Sequence, residues 1–548
     1  DGSHIKGLVL NMIHHFWPEL LNLGFVVAMV TPVIKAGSEW FFTEEAFRKS
    51  GARGAVKYYK GLGTSTSAEA KEYFRQIDRL TVKFTPDART GESMTLAFSK
   101  AMSDARKEWL VGHMANPPKG VEYGAVKQLT VTDFIHQDMS NFSAEDIKRS
   151  IPHVADGLKP SQRKVIYACL KRNLTKDAKV AQLSGYVAEH TAYHHGEASL
   201  QGTIIGLAQN FVGSNNVNLL EPSGQFGTRL MGGKDAASPR YIFTRLAEKT
   251  RGLFDARDEP LLKYTLEDGQ QVEPVYYLPI VPMVLVNGAE GIGTGFSCYV
   301  PPYDPKVLTR NIQHVLRGEP MEALVPHFKG FTGTIEKTGD HTWTLTGTFT
   351  REGSRIHITE LPPGKWIQDY KEFLDGLEVK YENHSTETKP DFYVWTELND
   401  PKQLGLVKTI HTSNMYLIGP NGSVKKYNSP EEILVDYLEM RMALYKRRKT
   451  HLLKEMRHEI NEQTLRARFI SDVAQGSLRV FQRSRRDIEA DMTARGYPHE
   501  LLTSVRTYQY TEDEMRKSTD AIHKLHHDIE VLEGTTVANL WKQDLESL

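Results

Sequence analysis

Cysteine is nearly absent: Cys169 and Cys298 are the only two in 548 residues. Two thiols cannot build a disulfide framework, which excludes a stapled secreted scaffold and points to a reducing compartment. No apolar run approaches the roughly 20 residues that a helix needs to cross a bilayer, and no signal-peptide pattern opens the chain, so a membrane partner is not expected. An excess of charge is missing as well, since 68 basic side chains balance 68 acidic ones. Bulk charge therefore marks no partner. Internal repeats and low-complexity segments are not evident. What remains is ordinary globular composition, 40% hydrophobic and 25% charged, in a chain long enough for roughly three or four domains.

Several nucleotide and metal signatures are also lacking. GTRLMGGKDAASP has no Gly-Lys-Ser/Thr ending, because Asp235 follows Lys234, so ATP hydrolysis within this chain is not expected. NGAEGIGTGF (287–296) follows a strand-like run, PMVLV, but two prolines in SCYVPPYDP forbid the helix that a dinucleotide fingerprint requires. Its glycines read instead as backbone that must approach another surface closely. In AEHTAYHHGEASL, His190 and His194 have zinc-pair spacing, without the HExxH order or any supporting cluster. A histidine donating to a phosphate or a transition-state oxygen fits the basic surroundings better.

Apolar periodicity predicts a helix over 4–21, a buried strand over 26–34 and a helix over about 66–80, an α/β alternation. The chain starts without methionine, directly in a helical pattern, and reads as a fragment cut inside a domain. From Val131 to Arg172 the pattern is helical, with Pro160 or Ser161 opening the last helix. Strand patterns fill 276–430, read as an α/β insertion. After Pro430 and as far as about Phe469 runs a helix without glycine or proline, and a helical run at 511–533 can return antiparallel to it as a coiled coil.

The chemistry concentrates in two places. From Lys148 to Arg172 the cations are Lys148, Arg149, Lys159, Arg163, Lys164, Lys171 and Arg172 against one acid, Asp156. Lys159, Arg163 and Lys164 sit at or near a helix N-terminus, which already favours phosphate, and the pattern is compatible with a winged-helix DNA reader. In GKDAASPRYIFTRL, Arg240 precedes Tyr241 among Arg229, Lys234 and Arg245. A tyrosine hydroxyl is a poor nucleophile at its ordinary pKa near ~10. Neighbouring cations lower the cost of the phenolate and can bind a phosphate, so the pair is a candidate for covalent catalysis on a phosphodiester. The competing reading is a half-buried packing tyrosine.

DGSHIKG, YYKGLGTS, AFSKAMSDARKEWL, RSIPHVADGLKPSQRKV, YHHGEASL, TIIGLAQNFVGSNN, FGTRLMGGKDAASPRYI and LPIVPMVLVNGAEGIGTGF occur in this order. They resemble the DNA breakage-reunion core of eukaryotic-type DNA topoisomerase II, a type IIA enzyme. The likeness is dense from 129 to 305. It implies a mixed α/β multidomain fold: the C-terminal part of a Toprim domain and linker at 1–128, and a winged-helix domain at 129–270. A tower domain at 271–430 and a coiled coil with dimer gate at 431–548 would follow.

The resemblance implies a homodimer acting on double-stranded DNA. Tyr241 would be the nucleophile, forming 5′-phosphotyrosyl links, and Arg240 would steady the scissile phosphate. Arg149, Lys159, Arg163 and His195 match positions around that phosphate. Ile292 matches a wedge that bends DNA, and Lys60 lies in a motif near DNA. Lys164, Lys234 and Arg229 are taken as further DNA contacts. Asp1 matches the last aspartate of an acidic Mg²⁺ motif whose other carboxylates would lie upstream, and ATP would bind a domain outside this chain. The expected location is the nucleus, or the virion or host cell for a viral member. A non-cleaving DNA-bending clamp and a metal-dependent nuclease remain alternatives.

Overall fold

In this computed structural model the protein is described over residues 2–52, 54–59, 63–267 and 269–548. It comprises two compact units. The larger holds residues up to Arg251, Lys263–Arg310 and Glu322–Tyr437. Its first helix, Gly2–Phe16, stops before Pro18, where a short helix Pro18–Asn22 begins, so the single helix predicted over 4–21 is divided. Proline restricts the residue before it and lacks an N–H to donate. The strand predicted over 26–34 is divided as well, around Pro32. Val27–Met29 pairs antiparallel with Thr81–Thr85, whereas Ile34–Ala36 lies in a second sheet between Glu39–Phe41 and Val56–Tyr58. Gln128–Thr130 joins Thr81–Thr85 in parallel. Leu10, Leu21, Phe84, Phe134 and Ile135 form the core beneath these elements. The helix predicted over 66–80 forms as Ser67–Arg75 and Ile77–Leu80, opened by a Thr66/Glu69 capping box.

The helix Ser140–Ser150 leads through a loop to Pro160–Lys171, with Pro160 in its first turn as expected. Helices Val180–His190 and Glu197–Ala208 follow. Strand Phe243–Leu246 then pairs antiparallel with both Leu220–Ser223 and Ala178–Lys179. The apolar run PMVLV is not a strand: Met283–Val286 is a buried helical turn, an ambiguity that periodicity cannot resolve over so few residues. The strand-rich region contains Thr334–Gly339, Thr342–Thr346 and Val407–His411 in one sheet. A four-stranded sheet beside it runs Phe349–Glu352, Arg355–Ile358, Phe392–Trp395, Lys380–Asn383. Ile367, Tyr370 and Leu374 of the helix Ile367–Gly376 share one buried core with Ile356, Ile358, Phe392 and Val394 of that sheet.

His153, in the loop before Pro160, is buried with its ring 4.5 Å from that of Tyr276, and its Nδ1 accepts the Ala155 N–H at 3.1 Å. Burial pulls its pKa down to about 4. A histidine whose folded pKa lies below its unfolded value leaves the unfolded chain binding more protons between the two. Stability is therefore complete above about pH 6.5 and is lost as pH falls towards 4, by up to about 3 kcal/mol. Denaturant titrations at pH 7 and pH 4.5 should show this loss, and His153→Gln should remove that pH dependence.

The smaller unit comprises Gly252–Leu262, Asn311–Met321 and Leu438–Leu548. The long helix extends to Ala474, slightly past the predicted end, and most of it belongs here. Glu512–Gly534 returns antiparallel to it: Lys449 Nζ donates to the carbonyls of Glu533 and Thr535 at 2.8 and 2.7 Å, while Arg466 reaches Gln509 Oε1 at 2.9 Å. Between them, Phe469, Ile470, Leu478, Ile488 and Met492 form a small core. Elsewhere in this unit Arg441 and Arg448 are fully buried against Asp258, with Asp544 also bound to Arg448. Buried charges persist only when paired in this way. Among the described residues no helix is long and apolar enough to cross a membrane.

Candidate active site

Tyr241 ends the loop that joins Leu220–Ser223 to Phe243–Leu246. Backbone bonds fasten this loop on both sides. The Val180 and Ala181 amides donate to the Ile242 and Pro239 carbonyls, each at 3.1 Å, and on the other side Gln368 N–H donates to Leu230 O at 3.0 Å. Within it Thr228 N–H donates to Asp235 Oδ1 at 2.8 Å, and the Thr228 hydroxyl donates to the other oxygen. Gly227 has φ +95°, and a Cβ there would meet Gly233 backbone at 2.5 Å, so only glycine lets the two strands of the loop touch. Ile242 is buried while its neighbour Tyr241 is 67% exposed. A packing tyrosine would be buried; this one presents its ring to solvent. The Arg240 guanidinium lies over that ring, 5.2 Å from its centre, in cation–π contact.

A second group of residues surrounds a cavity of about 980 Å³. Asp146, Lys148 and Arg149 enter it from one helix, Ser161 and Lys164 from the next, and Tyr193, His194, His195 and Ser199 from the turn and helix that follow. That turn includes Ala192 at φ +48°, a strained conformation of the kind that accumulates at functional sites. The His195 ring sits edge-on to Tyr193 at 5.4 Å, and His190 packs on Tyr186 at 4.2 Å. Arg149 is exposed and pairs with Asp146 at 2.8 Å. Arg240 and Tyr241 are not among the lining residues. The structure thus forms one cluster at Arg149 and His195, and another at Arg240 and Tyr241.

Ile292 stands on a hairpin, Ala289–Gly293 paired with Phe296–Val300, and is 79% exposed. The predicted close approach is present: a Cβ on Gly291 would lie 2.1 Å from Ser150 O. The glycine seats the hairpin on the helix that carries Arg149 and leaves the apolar side chain raised.

The family of the DNA gyrase/topoisomerase IV A subunits matches residues 149–546, and the C-terminal associated domain of TOPRIM matches residues 29–147. The crystal structure of the Plasmodium falciparum topoisomerase II DNA-binding, cleavage and re-ligation domain superposes with a TM-score of 0.85. The two are 38% identical, and the match covers 100% of this chain and 82% of that one. This chain belongs to the type II DNA topoisomerases. It is 43% identical to DNA topoisomerase 2 of Arabidopsis thaliana over 91% of its length, and 42% identical to human DNA topoisomerase 2-beta over 95%. It spans 36% and 35% of those two topoisomerases, about a third of each.

Within this topoisomerase chain, three of the expected DNA contacts are buried and internally paired. Arg163 is 5% exposed and doubly bonded to Asp156, at 2.8 and 3.0 Å, and also to the Leu158 carbonyl. Lys164 is 7% exposed, its ammonium donating to Thr191 O, Glu267 and Glu273 at 2.7, 2.9 and 3.0 Å. Arg229 is 2% exposed, paired with Glu360 and bonded to Leu361 O at 2.9 Å. Their charges are met by internal carboxylates, and in this structure they brace the elements around the site. Lys234 and Arg240 are exposed, and Lys159 is half-buried beside Pro160.

Asp1 and Lys60 lie outside the described residues. Among the described residues no three His, Cys, Asp or Glu side chains group as a metal would need. Sequence reading missed Asp146, Tyr193 and Ser199. The Asp146–Arg149 spacing is a legible helix pair; the inward turn of the other two had no local signal.

Proposed function

We propose that this chain is the DNA breakage-reunion core of a eukaryotic-type topoisomerase II, with Tyr241 as its nucleophile. The observation that carries the reading is the exposed Tyr241 under Arg240, on a loop fastened on both sides. The Tyr241 hydroxyl gives up its proton to solvent as its oxygen attacks a backbone phosphorus, and a Tyr Oη–P bond forms as the P–O3′ bond breaks. The 3′ oxygen leaves as a hydroxyl after taking a proton. Reversal reseals the strand, because the phosphotyrosyl bond retains the energy of the one it replaced. Arg240 would steady the attacked phosphate, and Arg149, Lys159 and His195, a separate cluster in this chain, would offer donors for charge growing on its oxygens once bound DNA brings that phosphate to both. Two copies, each cutting one strand, would open a duplex for a second to pass. Asp1 would be one ligand of a Mg²⁺ that supplies positive charge for the departing oxygen, and ATP would act through another domain.

The same reading names the parts: Toprim-associated, winged-helix, tower and coiled-coil regions over the expected boundaries, with a dimer gate near the coil. For a eukaryotic source the setting is the nucleus. Ile292 would act as an apolar wedge between base pairs. Ile292→Gly should therefore reduce the bend of a duplex labelled at both ends, read by energy transfer, with little loss of protein stability.

Denaturing the protein on labelled duplex with Mg²⁺ tests the reading. Protein bound covalently to DNA ends supports it. Free ends would instead support a nuclease, and intact bent DNA a clamp.

A further inference from the structure

Asp146 stands between the wedge hairpin and Arg149. Its Oδ1 accepts from Arg149 Nη2 at 2.8 Å. Its Oδ2 accepts from the N–H and the hydroxyl of Thr294, at 2.9 and 2.8 Å. Thr294 follows the strand that carries Ile292, and the helix Ser140–Ser150 that carries Asp146 also receives Gly291 against its last carbonyl. Although burial opposes it, the bonds from Thr294 and Arg149 hold the Asp146 carboxyl below its ordinary range.

Pairs at this spacing on exposed helix faces usually contribute little, since both side chains keep their freedom. The neighbouring Glu145–Lys148 pair is of that kind, with the glutamate 73% exposed. Asp146 differs because it is 18% exposed and two bonds from another element fix its carboxylate. A fixed carboxylate restricts the rotamers of the long arginine bound to it.

We infer that Asp146 is a positioning residue, aiming Arg149 into the cavity it shares with His195 and tying that aim to the seating of the Ile292 hairpin. Seating of the hairpin on bent DNA is then transmitted to Arg149 through Asp146. This rests on the cleavage reading of Tyr241, because Arg149 matters only where a phosphate is attacked.

The test compares wild type, Asp146→Asn, Arg149→Ala, the double variant and Gly291→Ala. On labelled duplex with Mg²⁺ it follows the rate of covalent adduct formation, the half-saturating DNA concentration and the bend by energy transfer. Asp146→Asn should slow adduct formation at saturating DNA by up to about 10²-fold, the scale of a catalytic group displaced by an ångström. Half-saturation and bend should stay within about twofold of wild type. In the Arg149→Ala background the same change should add nothing, as expected for one residue acting through another. Gly291→Ala should lower bend and adduct together. Should Asp146→Asn fold poorly by thermal melting, Thr294→Val removes one bond and should give the same pattern at smaller size. A wild-type adduct rate in Asp146→Asn, a full further loss on top of Arg149→Ala, or loss of bend in proportion to adduct would overturn the inference. If wild type itself forms no adduct, the cleavage reading fails and the inference falls with it.

Discussion

Tyr241→Phe should abolish covalent attachment to DNA while leaving binding and stability almost unchanged. The substitution removes one oxygen, and that oxygen is the atom proposed to bond phosphorus. Neither adjacent side chain can replace it, since Ile242 is buried and Arg240 carries no comparable nucleophile. Removing a nucleophile from a working covalent site commonly costs 10³-fold or more, so adduct should fall below detection in a denaturing gel. The ring stays, and with it the contact to Arg240. At 67% exposure the hydroxyl supports little packing, and the melting temperature should hold. Residual adduct at an appreciable fraction of wild type would remove Tyr241 from its role.

Arg229→Ala should produce the largest loss of stability. The arginine is 2% exposed and joins the Tyr241 loop to Glu360, which also accepts from Thr332 N–H and hydroxyl at 3.1 and 2.9 Å. Deleting one partner leaves a buried carboxylate uncompensated, at a cost of about 3–5 kcal/mol. The loop should loosen too, and hydrogen exchange should report faster exchange at the Gly233 amide, which now donates to Thr228 O at 2.9 Å. A surface phosphate contact behaves differently: its removal lowers the salt slope of DNA binding by about one and leaves stability intact. An Arg229→Ala variant of wild-type stability with a shallower salt slope would reverse the structural assignment.

These two residues show what the sequence could reveal. Arg240 and Tyr241 are adjacent, and their surroundings lie within a dozen residues, so the candidate was legible locally. Arg229, Lys164 and Arg163 looked equally basic on paper. The acids that bury Lys164 and Arg229 stand 103, 109 and 131 residues away, and only the fold brings them close. Arg163 was the readable case, since Asp156, the single acid in that basic stretch, is its partner. Among elements, the long helix from Pro430 was plain because nothing in it breaks a helix. Pro18 and Pro32 divided a helix and a strand that apolar periodicity alone had joined. The close backbone approach of the glycine run was foreseen from composition, whereas the hairpin that makes it and the bond to Asp146 required the register that places Thr294 over the helix.

The central claim is that Tyr241 joins the 5′ end of a cut strand. Wild-type protein should be incubated with Mg²⁺ and duplexes labelled at one end or the other, denatured, digested with protease and nuclease, and sequenced by mass. The prediction is a nucleotide linked through its 5′ phosphate to the peptide containing Arg240-Tyr241. A link to any other residue, attachment through a 3′ phosphate, or cut DNA with no peptide attached would contradict it.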